Sequence, residues 1–370
     1  MSNVKTFVLE CTACGQVEDI SFFSGCRHCG SILHVASPAV RPGGTGGAPG
    51  IWEGLGLFGV IGLTPVSLGE GNTPLIRGAA GRENHYLKFE GCNPTGSWKD
   101  RFQAVNATVA RKLGYRGLSV VSTGNSALAA AAYANRAGIQ LRARLSARAP
   151  RTIVDSIRDF GFAVEFEDTG PMDLRRDLDE DRLFPATMSL IHDGVANPFG
   201  LEGYKTIAYE IFSQLGRAPD WVAVPVGCGD GLFGIAKGFD EIVRWGLGDV
   251  APRMLGVQSG EAQSLVQAVH HKLPTTNPVV VGPTVALSIA VATAGNHALA
   301  AIRRTGGWAV AVTDAQIAAA QATLRGEGIS AEASSAAAVA GVAAAEEQSI
   351  IAHDDVVVSV ITSNGYRWMS

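Results

Sequence analysis

The chain predicts an α/β fold built on parallel sheets, and three observations carry that prediction. Short β-branched runs alternate with longer Ala-rich helical segments through most of its length. Several of those runs end in a glycine-bearing turn that opens a helix. The composition, 46% hydrophobic against 17% charged over 370 residues, supports a large buried core with room for more than one domain. Strands alternating with helices form βαβ units, which place ligands beyond the carboxyl ends of the strands.

At the N-terminus, Met1-Ser2-Asn3-Val4-Lys5-Thr6 is polar and lacks the apolar core of a signal peptide. No apolar run approaches the roughly 20 residues that span a bilayer. A cytoplasmic protein with no membrane partner is therefore expected. The net charge of −4 gives no basis for a nucleic-acid partner. Residues 1–37 read as a four-cysteine knuckle module, with Cys11-Thr12-Ala13-Cys14 and Cys26-Arg27-His28-Cys29 each followed by a glycine. This spacing presents Cys11, Cys14, Cys26 and Cys29 tetrahedrally, as a structural zinc site requires. Disulfides are the competing use, disfavoured in a reducing compartment. His28 and His34 are spare ligands.

Residues 38–68 read as a Gly/Pro-rich linker. Residues 69–205 are expected to contain a small α/β domain, and residues 206–370 to form a large one. Strands are expected at 118–121, 163–166, 221–226, 254–257 and 356–361, and helices at 126–137 and 334–347. The charged run 168–182 reads as a solvated helical face.

The chemistry concentrates at the strand ends. Asn93-Pro94-Thr95-Gly96-Ser97-Trp98-Lys99-Asp100-Arg101 is a turn-rich string that delivers Lys99 at the start of a helix. A lysine held in a partly desolvated pocket loses its proton readily and becomes a nucleophile or Schiff-base former. Ser122-Thr123-Gly124-Asn125-Ser126 follows a β run and opens an Ala-rich helix. Backbone N–H groups there can hold a carboxylate, and the Asn125 amide can donate to a phenolic oxygen; an ordinary N-cap is the competing use. Gly227-Cys228-Gly229-Asp230-Gly231 follows another strand, and its glycines let backbone amides approach a phosphate. After the last strand, Thr362 offers a hydroxyl to a pyridine nitrogen. A lysine, a polar turn and a phosphate-cradling turn are what a pyridoxal phosphate site needs. Read literally, 229–234 is also GxGxxG, but no ribose-binding acid stands where a dinucleotide site needs one, and a nicotinamide oxidoreductase is the weaker reading.

Together these segments resemble the fold-type II pyridoxal phosphate enzymes, most closely the threonine synthase group. The resemblance covers most of residues 60–365 and takes in Gly69-Glu70-Gly71-Asn72-Thr73-Pro74-Leu75, the Lys99 string and Ser122-Thr123-Gly124-Asn125. It continues through Asn197-Pro198, Glu202-Gly203-Tyr204-Lys205-Thr206, the glycine turn and Ala333-Ser334-Ser335-Ala336-Ala337. It implies two parallel-sheet α/β domains with the cofactor between them, plus a small zinc-ribbon-like N-terminal module, in a homodimer. It implies a lyase or synthase carrying out β- or γ-elimination and replacement on a small amino acid, with a phosphorylated substrate in the threonine synthase case. Lys99 would hold the cofactor as a Schiff base and shuttle protons. Asn125 would face the cofactor's 3′-oxygen, Gly227, Cys228, Gly229, Asp230 and Gly231 its phosphate, and Thr362 its ring nitrogen. Ser122, Thr123, Gly124 and Ser126 would hold the substrate.

The chain departs from that pattern. Cys228 and Asp230 stand beside the glycines, and Asp230 sets a negative charge near a phosphate unless its side chain turns away. Asp193-Gly194-Val195-Ala196 replaces the usual substrate-phosphate donors before Asn197, Tyr204 replaces a glutamine, and the chain ends soon after Arg367-Trp368. Arg142, Arg144, Arg148 and Arg151 are the candidate cations for a substrate phosphate. A β-replacing or β-eliminating relative, acting on phosphoserine or as an ammonia-lyase, is the alternative within the class. A catalytically retired zinc-ribbon binding protein is the alternative outside it.

Overall fold

A computed structural model describes residues 8–18, 25–37, 50–52, 64–79, 82–166, 173–187 and 195–366. The described residues fall into two compact units, one within Met1–Gly71 and Lys99–Tyr204, the other within Asn72–Trp98 and Lys205–Ser370. In chain order the early elements are β1 (Leu9–Cys11), β2 (Val17–Glu18), β3 (Leu33–Val35), β4 (Leu75–Ala79) and β5 (Arg82–Phe89). Then come α1 (Lys99–Lys112), β6 (Gly117–Ser122), α2 (Asn125–Ala137), β7 (Gln140–Leu145) and α3 (Arg151–Asp159). Next are β8 (Val164–Phe166), α4 (Leu174–Asp179), β9 (Leu183–Pro185), α5 (Leu201–Leu215), β10 (Trp221–Pro225) and α6 (Asp230–Arg244). The chain closes with β11 (Arg253–Ser259), α7 (Ser264–His270), α8 (Asn296–Arg304), β12 (Trp308–Val312), α9 (Asp314–Gly326), α10 (Ala333–Glu347) and β13 (Val357–Ile361).

In the first unit, β8, β7, β6 and β9 form a parallel sheet in that order. Leu118 and Val120 on one face of β6 and Ser119 on the other are fully buried, as a strand covered on both faces should be. The cysteine module forms a separate antiparallel sheet, ordered β2-β1-β3. The stretch expected as a linker lies outside the described residues at 38–49 and 53–63. Between them Gly50–Trp52 forms a buried turn, and the Trp52 indole donates to Glu70 Oε1 at 2.6 Å.

In the second unit a single sheet runs β12-β11-β10-β13-β5-β4. It is mixed, which corrects the expectation of parallel sheets throughout. The strands from β12 to β5 are parallel, but β4 pairs antiparallel with β5 at the edge. The reason is chain length: only residues 80 and 81 separate these strands, and a parallel crossover takes a dozen or more. Helix α10 lies within the core formed by this sheet, with Ala336, Ala337, Ala338 and Ala345 buried. Its small side chains let it approach the sheet closely, since a Cβ on Gly341 would collide with Val257. No described helix is long and apolar enough to cross a membrane.

Candidate active site

Lys99 is the first residue of α1 and is half-buried. Its Nζ lies 5.6 Å from the Phe102 ring centroid and 5.7 Å from that of Tyr204. Those two rings sit 5.6 Å apart, so the amine rests on an aromatic surface. Beyond it the start of α1 is held by buried polar groups. Tyr133 OH donates to Glu70 Oε2 at 2.8 Å. Burial, reinforced by the Asp100 and Glu70 carboxylates, pushes the Tyr133 phenol far above its ordinary range, which keeps it a donor.

The Ser122–Asn125 turn leads from β6 into α2 in the same unit. Gly124 N–H donates to Ser122 Oγ at 2.9 Å, and the Gly124 carbonyl accepts from Ala127 and Leu128. Gly124 has φ 153, and a Cβ there would lie 2.8 Å from Ile153 Cδ1. The turn thus needs glycine twice over, for its backbone and for its apolar neighbour. Asn125 is buried as the first residue of α2. Gln103 Nε2 of α1 donates to Ser126 Oγ at 2.9 Å, which ties the Lys99 helix to this turn. Asn197 is a structural pin: its Nδ2 donates to Asn106 Oδ1 and to Pro185 O, each at 2.9 Å.

In the second unit, Gly227–Gly231 joins β10 to the start of α6. Gly229 has φ 99, a left-handed conformation, and a Cβ on it would collide with the Cβ of Ala298. The turn is pinned to α8, because Gly295 N–H donates to the Cys228 carbonyl at 2.8 Å. Asp230 is the first residue of α6, and its Oδ1 lies 3.1 Å from His297 Nε2. Strands β10 and β13 are parallel neighbours, so Thr362 emerges at the same edge of the sheet as this turn. Thr362 Oγ1 is buried and lies 2.8 Å from Ser335 Oγ, which also accepts from Ser363 N–H at 2.9 Å. Trp98 N–H donates to the Thr362 carbonyl at 2.8 Å, and Lys99 is the next residue in the chain.

Sulfur geometry distinguishes the uses of the cysteines. Cys11 and Cys29 Sγ are 3.4 Å apart, Cys14 and Cys29 3.6 Å, and Cys14 and Cys26 3.7 Å. A disulfide needs about 2.05 Å, whereas a tetrahedron of sulfurs around zinc has edges of roughly 3.8 Å. All the ligand atoms of this cluster lie within 4.8 Å of one another. Burial pushes the Cys11 thiol up to about 12, and hydrogen bonds from Ser31 bring Cys29 down to about 6.

Three of the four arginines read as candidate phosphate ligands, Arg142, Arg144 and Arg151, are paired with carboxylates. Arg144 Nη1 bonds Asp177 Oδ2 at 2.6 Å, and Arg142 pairs with Asp177 and, at 2.6 Å, with Asp181. Arg151 is largely exposed and pairs with Asp155. Asp177 also accepts from Ser119 Oγ at 2.5 Å and is buried, so the run 168–182 is not wholly a solvated face. The residues at 168–172, 193–194 and 367–368 lie outside the described residues. His297 beside Asp230, Phe102 beside Lys99 and Asp177 beside Arg142 and Arg144 did not stand out in the sequence, whereas Ser335 and Tyr204 lay within its motifs.

A protein-family model described as pyridoxal-phosphate dependent enzyme matches residues 66–363. The chain is 33% identical to the threonine synthase of Methanocaldococcus jannaschii, covering 96% of this chain and 92% of that one. It is 35% identical to the threonine synthase of Methanosarcina acetivorans, over 85% of this chain and 80% of that one. Among solved structures, maize serine racemase superposes with a TM-score of 0.64 at 20% identity, covering 79% of this chain and 88% of that one. That last likeness concerns the fold alone.

Proposed function

The chain belongs to the pyridoxal-phosphate-dependent enzyme family, and we propose that within it the protein acts as a threonine synthase, converting O-phosphohomoserine and water to threonine and phosphate. The observation that carries this reading is the likeness to a threonine synthase over nearly the whole chain.

The residues present fit the cofactor. Lys99 offers an amine on an aromatic surface, 227–231 a glycine cradle at the start of a long helix, and Thr362 a buried hydroxyl fixed by Ser335. When bound, the cofactor supplies an electron sink for bonds at the amino acid's α carbon. Lys99 Nζ would hold it, and would carry a proton to and from that carbon. The Phe102 and Tyr204 rings would flank the amine and limit the directions from which water and substrate reach it. N–H groups at the start of α6 would bind the cofactor phosphate, helped by the helix dipole. The Ser122–Asn125 turn would hold the substrate carboxylate in the same manner, and the Asn125 amide the 3′-oxygen. Thr362 would meet the ring nitrogen with a hydroxyl, leaving it uncharged and the electron sink modest.

A second reading, β-elimination or β-replacement on O-phosphoserine, is favoured by one observation. Arg142 and Arg144, two of the four candidate phosphate cations, are paired with Asp177, so the expected cation set for the O-phosphohomoserine phosphate is depleted. Adding each substrate to the purified holoenzyme while recording its visible absorbance, with phosphate, ammonia and threonine assayed, separates the readings. Threonine and phosphate from O-phosphohomoserine support the first. A response to O-phosphoserine alone moves the function to the second. No visible band in protein supplied with pyridoxal phosphate would sink both.

The four cysteines would bind one structural zinc ion, an assignment supported by their sulfur spacing. Metal analysis should find about one zinc per chain, and a metal-free protein with the same fold would overturn this. Sedimentation would test the homodimer that the resemblance implies.

A further inference from the structure

The glycine turn carries an acid where it should receive an anion, and the structure holds that acid in a particular way. Asp230 stands in the first turn of α6, and its Oδ1 accepts a hydrogen bond from His297 Nε2 at 3.1 Å. Both side chains are buried, with His297 fully so. The carboxylate only accepts, so the imidazole proton on this bond belongs to Nε2. His297 Nδ1 has no hydrogen-bond partner among the described residues, which leaves Asp230 as the group that fixes this ring.

The ring's placement is rigid. It meets Phe233 of α6 edge-on, with centroids 5.7 Å apart. A Cβ on Gly229 would lie 3.5 Å from His297 Nε2 and would strike Ala298. Helix α8 therefore seats its first turn directly against the glycine turn, and the Gly295 to Cys228 hydrogen bond holds it there. Without the His297 bond the carboxylate would have more freedom to turn toward the N–H groups that a phosphate needs.

We propose that His297 is a positioning residue for the cofactor phosphate: it holds the Asp230 carboxylate against α8, so that the turn presents N–H groups and not its own acid. The proposal rests on the reading that residues 227–231 cradle the phosphate of pyridoxal phosphate. It explains how a turn bearing an aspartate remains usable by a second anion. It also assigns a purpose to a buried His–Asp pair that performs no chemistry on the substrate.

The test is the affinity of the cofactor-free full chain for pyridoxal phosphate and for pyridoxal, which lacks the phosphate. His297→Leu should weaken pyridoxal phosphate binding about 10-fold or more and leave pyridoxal binding within about 2-fold. Adding Asp230→Asn to that variant should restore the affinity to within about 3-fold of the wild type, because the competing charge is gone. His297→Gln, which keeps a donor, should bind like the wild type. Should His297→Leu fail to fold, Asp230→Asn alone decides. It should strengthen binding of pyridoxal phosphate relative to pyridoxal, and weakened binding would overturn the proposal. Equal losses for both ligands, or no rescue in the double variant, would reduce the pair to packing and overturn it too. A wild-type chain that binds pyridoxal but gains nothing from the phosphate would overturn the cradle reading itself.

Discussion

The Ser122–Asn125 turn and the Gly227–Gly231 turn share one architecture: a buried strand, a glycine with positive φ, and the N-terminus of a helix of three or more turns. They differ in charge and in what holds them. The first has no acidic residue in the opening turn of its helix and is shaped by Ser122 Oγ and the Ile153 side chain. The second carries Asp230 and is shaped by α8 through Gly295, His297 and Ala298. The backbone thus makes the same strand–glycine–helix geometry twice, and neighbouring elements decide how much of it the proposed anions could use. The first turn spends only its Gly124 N–H on itself, and the N–H groups that follow would be left to a ligand carboxylate. The second turn, which contains an acid, depends on a second helix.

The largest test concerns the amine that both turns are expected to serve. Lys99→Ala should abolish the visible band and lower kcat by about 1,000-fold or more. Activity retained at wild-type level would dissolve the comparison, since neither turn would then have a reaction to support.

Next in size are two effects that separate the units carrying the turns. Asp177 in the first unit holds two arginines, and Asp177→Asn should cost about 3 kcal/mol in chemical unfolding. Burial alone would raise the Asp177 pKa, but bonds from Arg144, Ser119 and Arg142 outweigh it and hold the group below the usual range. Its stabilisation is present above about pH 4 and is lost as pH falls through the folded value. His85 in the second unit behaves differently. Burial, then the Arg82 charge, lowers it to about 4, while its Nε2 lies 2.8 Å from Ser359 Oγ. The unfolded chain takes up this proton near pH 6.5 and the folded one only near 4, so stability falls as pH drops across that window, by about 3 kcal/mol. Hydrogen exchange should show the second unit loosening at milder acidity than the first, and His85→Gln should remove that difference.

Smaller and more pointed is a pair of glycine substitutions. Gly124→Ala should raise KM for the amino acid about 10-fold with pyridoxal phosphate affinity kept, while Gly229→Ala should do the reverse. Identical effects from both would mean that the turns do not divide the ligands between them. The smallest effect belongs to the cysteine module. On the zinc proposal, Cys14→Ser should eliminate bound zinc by metal analysis and change kcat by less than about 3-fold, since the module would contribute structure and not chemistry.

Much of the fold was legible because its signals are short-range. The 118–121 and 221–226 runs became β6 and β10, and the Ala-rich stretches became α2 and α10, each set by periodicity within a few residues. The mixed sheet was missed because 75–79 and 82–89 were not expected as strands, and strand direction depends on where a segment pairs. Arg142 and Arg144 looked available because nothing near them in sequence neutralises them. Their carboxylate arrives from Asp177, 35 and 33 residues away.

By itself the sequence determined the parts: a lysine opening a helix, two glycine turns after strands, a hydroxyl after the last strand and four cysteines in paired knuckles. Turn chemistry, helix starts and ligand spacing are local properties, and local properties are written in consecutive residues. Only the tertiary structure decided which charges those parts carry into use. It brings His297 to Asp230 across 67 positions and Ser335 to Thr362 across 27. Burial makes such pairings obligatory, because a polar group taken out of water must find its partner wherever packing supplies one.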